Sequence, residues 1–231
     1  MSNYNSDGTS DNDWEDRGEL IWNEFDWERY LRDQDEAVLR YLAHYDKLPA
    51  GPERLDEAAK QMGWSQEDWN GEGQNDSEEL TDAQMALLDG SDESEPYTLH
   101  KNPVFIATRS LYLSLTRTWE QLAGSNAGIP ADFALGHLAG LHRGETQAIL
   151  AIQSLDFGDY AMAISLLKRA LRELNDSMAR LASPTAEKHR AIAGYRGEAM
   201  ARLFDLREIW LRVMSECREE LELPSDDEDD D

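Results

Sequence analysis

Apolar residues recur at spacings of three, four and seven through most of this chain, in separate runs divided by polar stretches. Leu20, Trp27, Leu31, Val38, Tyr41, Tyr45 and Leu48 keep that rhythm, which places them on one side of an amphipathic helix. Trp22, Phe25 and Leu42 widen the apolar surface beyond a single stripe, so the helix is expected to pack on the body of the protein or on a partner. After LPAGP, Pro52 and Gly63 bracket a short helix, ERLDEAAKQM, with proline in its first turn and glycine at its stop.

Beyond Pro96 the rhythm resumes four times. Asn102-Pro103 opens a helix that carries Val104, Leu111, Leu115, Trp119 and Leu122, and GSNAGIP separates it from a second helix over 131–155. Phe157-Gly158 breaks into a third, with Tyr160, Ile164, Leu167, Leu171, Leu174 and Met178 on one face. Ser183-Pro184 starts a fourth, expected to run without interruption to about Leu221. Short connections between amphipathic helices predict an all-α fold, an antiparallel up-and-down four-helix bundle, here with an N-terminal acidic helical arm. The expected organisation is an acidic leader over 1–17, a Trp-rich arm over 18–70, and a linker over 71–96 with a short helical island. The four-helix body follows over 97–223, then an acidic tail over 224–231.

Two short stretches resemble known motifs. LDEAAKQMGWSQEDW resembles a helix-turn-helix, with Ala59, Gly63, Ser65 and Trp69 at the small, turn, cap and core positions. Its would-be recognition helix carries Glu67 and Asp68 where base reading needs Arg, Asn or Gln, so direct nucleic-acid binding is not expected. SLDFGDYAMAISLLKRAL is similar to the turn and second helix of a tetratricopeptide repeat. No second copy occurs at that period, and an ordinary helical hairpin explains it.

Charge changes the picture because it is sorted. The net charge is −26; residues 1–96 hold 27 acids and 7 bases, residues 97–223 hold 15 of each, and residues 224–231 hold 6 acids and no base. A neutral body with acidic extremities points to a basic or helical protein partner, with acids steering the encounter and Trp22, Trp27, Trp64, Trp69, Leu80, Met85 and Leu88 as apolar anchors. Capture of a nucleic-acid-binding protein by mimicry is an alternative use of the same charge. The single cysteine, Cys217, excludes an internal disulfide, and no apolar run approaches the roughly 18 residues of a membrane span. The expected location is cytoplasmic, with no membrane partner and no cofactor.

Candidate chemistry concentrates in GHLAGLHRGE. Gly136, Gly140 and Gly144 share one strip of the second body helix, and each costs about 1 kcal/mol in a helix interior relative to alanine. Close approach of another helix is the expected compensation. The fourth helix offers Gly194 and Gly197 as the matching strip, within one chain or across a homodimer. His142 and Glu145, three apart, share a side, and Glu145 is expected at the centre of the strip made by Leu138, Leu141, Ile149 and Ile152. A carboxylate there needs pairing, with Arg196, Arg202 or a tyrosine hydroxyl as the expected partner. The reading favoured is a non-enzymatic interaction protein with Glu145 as a structural pair. The alternative is a metal-dependent or acid/base enzyme using Glu145 and His142, with Asp205 as a further ligand.

Overall fold

A computed structural model describes residues 23–64, 101–125 and 128–222. These residues form seven helices and no strand: α1 (Glu24–Lys47), α2 (Arg54–Met62), α3 (Pro103–Ser125), α4 (Ala131–Asp156), α5 (Tyr160–Leu181), α6 (Pro184–Glu187) and α7 (Arg190–Glu222). The protein is therefore all-α. No helix among the described residues is long and apolar enough to cross a membrane.

The helix ends follow local chemistry. The Asn23 carboxamide accepts from the backbone N–H of Phe25 at 2.8 Å, while the Asp26 carboxylate accepts from the Asn23 N–H at 3.1 Å, a reciprocal cap on α1. Asn102 caps α3 in the same way, accepting from Val104 N–H at 2.8 Å, with Pro103 in the first turn. Gly63, at φ 83°, ends α2; its N–H bonds the Lys60 carbonyl and the Trp64 N–H bonds that of Ala59, both at 3.0 Å. The same two-bond stop recurs at Gly158, φ 72°, where the Asp159 N–H reaches Ser154 and the Asp159 side chain then caps α5.

The fourth body helix departs from the sequence expectation. Ser183 and Pro184 start only the one-turn α6, because the His189 N–H closes a three-residue bond to Ala186 at 3.1 Å. The His189 carbonyl then accepts the first bond of α7, from Ala193.

The chain divides into two compact units, residues 1–33 with 79–97 and residues 34–78 with 98–231. The first unit's described part is residues 23–33. In the second, α3 packs on α4 and α7, and α5 packs on α4 and α7, so the four long helices close a ring around one core. Trp119, Trp210, Leu111, Leu141, Leu167, Leu174 and Leu203 lie at its centre.

The sequence reading sets the arm at 18–70 and leaves its packing on the body or on a partner open. Residues 34–64 belong to the same unit as the ring, and Val38, Tyr41, Tyr45 and Leu55 enter its core. Burying each such side chain stabilises by about 1.5–3 kcal/mol. The Ser110 hydroxyl bonds the Val38 carbonyl at 2.8 Å, Arg202 meets Asp46 at 2.7 Å and Arg212 meets Asp56 at 2.6 Å. These ion pairs are partly exposed and contribute less than about 1 kcal/mol each, so apolar burial holds this segment in place.

Candidate functional site

The glycine strip of α4 does meet another helix, but a different one from that expected. A Cβ on Gly140 would come within 3.0 Å of Ser177 Oγ, and one on Gly136 within 2.8 Å of Arg180 Nη1. Both neighbours stand on α5. A Cβ on Gly144 would lie 2.5 Å from the Tyr112 hydroxyl. Gly194 and Gly197 have no atom within 4 Å of their Cβ positions and are exposed; they do not pair with the α4 strip. Gly194 instead lines a groove of about 490 Å³ between α3 and α7, together with Tyr195 and Arg202.

Glycine and alanine on α4 are core residues, and that moves the centre of its buried face. Buried positions run from Gly140 and Gly144 through His137, Ala148 and Leu155 to Leu141 and Ile152, while Leu138 and Ile149 are only half-buried. Glu145 consequently sits at the edge of the buried arc and not at its centre. It pairs with Arg109 of α3, not with Arg196, Arg202 or a tyrosine. Its carboxylate is 17% exposed and the Arg109 side chain 42%, so the pair reaches solvent. His142 is exposed, and no hydrogen bond joins its ring to Glu145. The core acid/base pair expected at these two positions is not assembled. Among the described residues no cluster of three His, Cys, Asp or Glu side chains could hold a metal ion.

The residue at the centre of the arc is His137, which the sequence reading passed over. It is fully buried, with its ring edge-on to Trp119 at 4.6 Å and beside Tyr195 at 5.8 Å. The Tyr195 hydroxyl donates to the Leu115 carbonyl and lies 3.3 Å from His137 Nε2. With its proton committed to Leu115, that hydroxyl accepts from Nε2–H and leaves Nδ1 as the bare nitrogen, which has no partner among the described residues. Burial, then the charge of Arg180, lowers the imidazole pKa to about 4. His137 is thus a neutral core histidine. The signal available in the sequence was its place midway between the glycine strip and Leu141.

Asp205, expected as a further metal ligand, is bonded to the Tyr45 hydroxyl. Burial raises its pKa, against the opposing effects of that bond and of Arg54 and Arg202. Arg54 lies 3.7 Å over the Tyr45 ring and donates Nε–H to the Tyr45 carbonyl at 3.0 Å. Asp205 therefore belongs to the fastening of α1 and α2 onto α7.

Of the expected partner anchors, Trp22, Trp69, Leu80, Met85 and Leu88 lie outside the described residues. Trp64 is half-buried and stacks on Tyr41 at 5.5 Å. The glycine stop of α2 turns it back there, since Trp64 is the residue whose N–H closes the longer bond of that stop. Trp27 is 45% exposed, Leu31 46% and Phe25 73%. Around them Arg29 and Arg32 are matched by Asp26 and Glu28, which leaves Glu24 and Asp33 without a paired cation among the described residues.

A second groove, of about 470 Å³, follows the glycine strip between α4 and α5. Gly136 and Gly140 lie along it beneath Arg180 and Ser177, with Asp132 and Asp176 also lining it. At the end nearer Gly144, Arg143 and Glu173 are paired at 2.9 Å. Compared with protein-family models, with curated proteins and with solved structures, the chain finds no significant match.

Proposed function

We propose that this is a non-enzymatic helical interaction protein, an adaptor or regulator, that binds a basic or helical protein through its acidic aromatic N-terminal region. In this reading the ring of long helices serves as an antiparallel four-helix scaffold, and the acidic region that precedes it is the working arm. One observation carries the reading: Phe25, Trp27 and Leu31 stand exposed within a single acidic stretch of α1. Exposed tryptophan and phenylalanine are the side chains from which interface anchors are commonly built. The surplus of 20 negative charges over residues 1–96, from 27 acids and 7 bases, supplies the steering field.

Affinity capture with the full chain, at low and high salt, tests this against a Trp27→Ala/Leu31→Ala double variant. Trp27 and Leu31 are about half exposed and Trp27 lies edge-on to Tyr30 at 5.9 Å, so the thermal transition of the variant is measured beside that of the wild type to separate lost binding from lost folding. The expected result is a basic protein retained by the wild type at low salt, released at high salt, and lost by the variant. Equal retention by the variant, or a retained partner that is neither basic nor helical, would sink the reading.

A further inference from the structure

The outer side of α7 carries large apolar residues that its packing in the ring leaves open. Phe204 is 51% exposed and Leu211 36%, and Met200 is half-buried. At about 100° per residue these three and Arg207 fall on one strip of the helix. Arg207 is exposed and forms no ion pair or hydrogen bond among the described residues, whereas its neighbour Glu208 is held by Arg212 at 3.2 Å. The strip is therefore apolar, with one uncommitted cation in its middle.

α1 presents the converse pattern. Trp27 is 45% exposed, and Leu31 and Leu39 are each 46% exposed; with Asp35 they follow at intervals of four residues, which makes one ridge along the helix. Asp35 is exposed and unpaired among the described residues, while Glu28 beside the ridge is committed to Arg32 at 2.9 Å. Set side by side in the same direction, Trp27 meets Met200, Leu31 meets Phe204, Asp35 meets Arg207 and Leu39 meets Leu211. At a rise of about 1.5 Å per residue the ridge spans about 18 Å and the strip about 16.5 Å, so the four rungs stay matched along their length. A slip of one turn either way puts Asp35 against Phe204 or Leu211 and leaves both charges facing apolar side chains, which is costly in a desolvated contact. Within one chain α1 is already fixed to a different side of α7, through Tyr45 to Asp205 and Asp46 to Arg202. A second molecule must therefore supply one of the two surfaces.

We propose that the ridge of α1 docks on the α7 strip of a second copy of this chain, with Asp35 paired to Arg207 between flanking apolar contacts. The contact rests on the reading of α1 as the binding arm and names its partner. Made twice about a two-fold axis, it closes a dimer.

Sedimentation velocity of the full chain from micromolar to submillimolar concentration tests this. About 150 mM salt limits the repulsion between two chains of net charge −26 to a range of about 8 Å. The wild type should self-associate with rising concentration. Asp35→Arg and Arg207→Asp should each weaken that association about tenfold or more, because like charges then face each other, and the double reversal should restore it. Phe204→Ser supplies an uncharged second variant with the same loss, and the thermal transition of each variant is measured beside it. Arg207→Asp leaves α1 intact, so it should still capture a foreign basic protein, which separates this contact from the arm reading itself. A wild type that stays monomeric while capturing such a protein overturns the self-contact alone. Association unchanged in the three single variants, or a double reversal no stronger than either reversal by itself, overturns it as well.

Discussion

Gly144 and Gly194 carry the same absent side chain in opposite surroundings, and alanine should separate them. A methyl on Gly144 would sit 2.5 Å from the hydroxyl of Tyr112, whose ring is 1% exposed and stacked on Trp210. That ring has no room to yield, so Gly144→Ala should destabilise by roughly 1–3 kcal/mol. Around Gly194 and Gly197 nothing lies within 4 Å, and Gly194→Ala with Gly197→Ala should each stabilise by up to about 1 kcal/mol through helix propensity. Urea unfolding of the three variants measures both signs; stabilisation by Gly144→Ala would contradict the packing described. The sequence showed that the α4 glycines needed a close neighbour. It did not show which one, because a strip of small residues is complementary to many surfaces.

At the scale of elements, α1 and α2 are fastened to α7 by tyrosines more than by charges. Tyr45→Phe removes the donor to Asp205, a carboxylate held between burial and its few polar partners, and should cost about 1–3 kcal/mol. Asp46→Asn breaks only the pair with Arg202, in which Asp46 is 44% exposed, and should cost less than about 1 kcal/mol. Equal losses in denaturant titration would mean that the exposed ion pair holds the segment as firmly as the Tyr45 hydrogen bond does. The helix itself was legible from the period of Val38, Tyr41 and Tyr45, as were its need for a packing surface and the glycine stop of α2. That residues 34–64 join the body while Trp27 remains exposed was not legible, since the same stripe runs through both parts of α1.

For the whole molecule, the buried His137 and the half-buried Glu216 set opposite limits on stability with pH. His137 has a folded-state pKa near 4 against an ordinary 6.5. The unfolded chain therefore takes up the proton first, and the stabilisation present above pH 6.5 is lost as pH falls towards 4, by on the order of 3 kcal/mol. Glu216 runs the other way: burial, then the charge of Glu219, raises its pKa to about 7 from 4.5. Its contribution is complete below pH 4.5 and is lost as pH rises through 7. Glu216→Gln should raise the melting temperature at pH 8 and leave it nearly unchanged at pH 4. Between pH 7 and pH 5, His137→Phe should flatten the stability slope that a His142→Gln control retains. A slope unaltered by His137→Phe would assign the acid limit elsewhere. The sorting of charge was visible in composition alone, but the ends and the body are not electrically separate, since Asp46 and Asp56 are matched by Arg202 and Arg212.

The sequence by itself determined the helices of the described residues apart from the break between α6 and α7, most of their caps and stops, and the placement of acid at the extremities, because each rests on interactions within a few residues or on simple counting. Tertiary structure decided which arc of α4 is buried, so that His137 and not Glu145 lies at its centre. It also gave Glu145 to Arg109 and set Arg180 and Ser177 over the glycines of α4. Periodicity weighs large apolar side chains, whereas helix-to-helix contact also buries glycine and alanine, which carry no such weight in the pattern; the geometry of α5 against α4 shifts the centre accordingly.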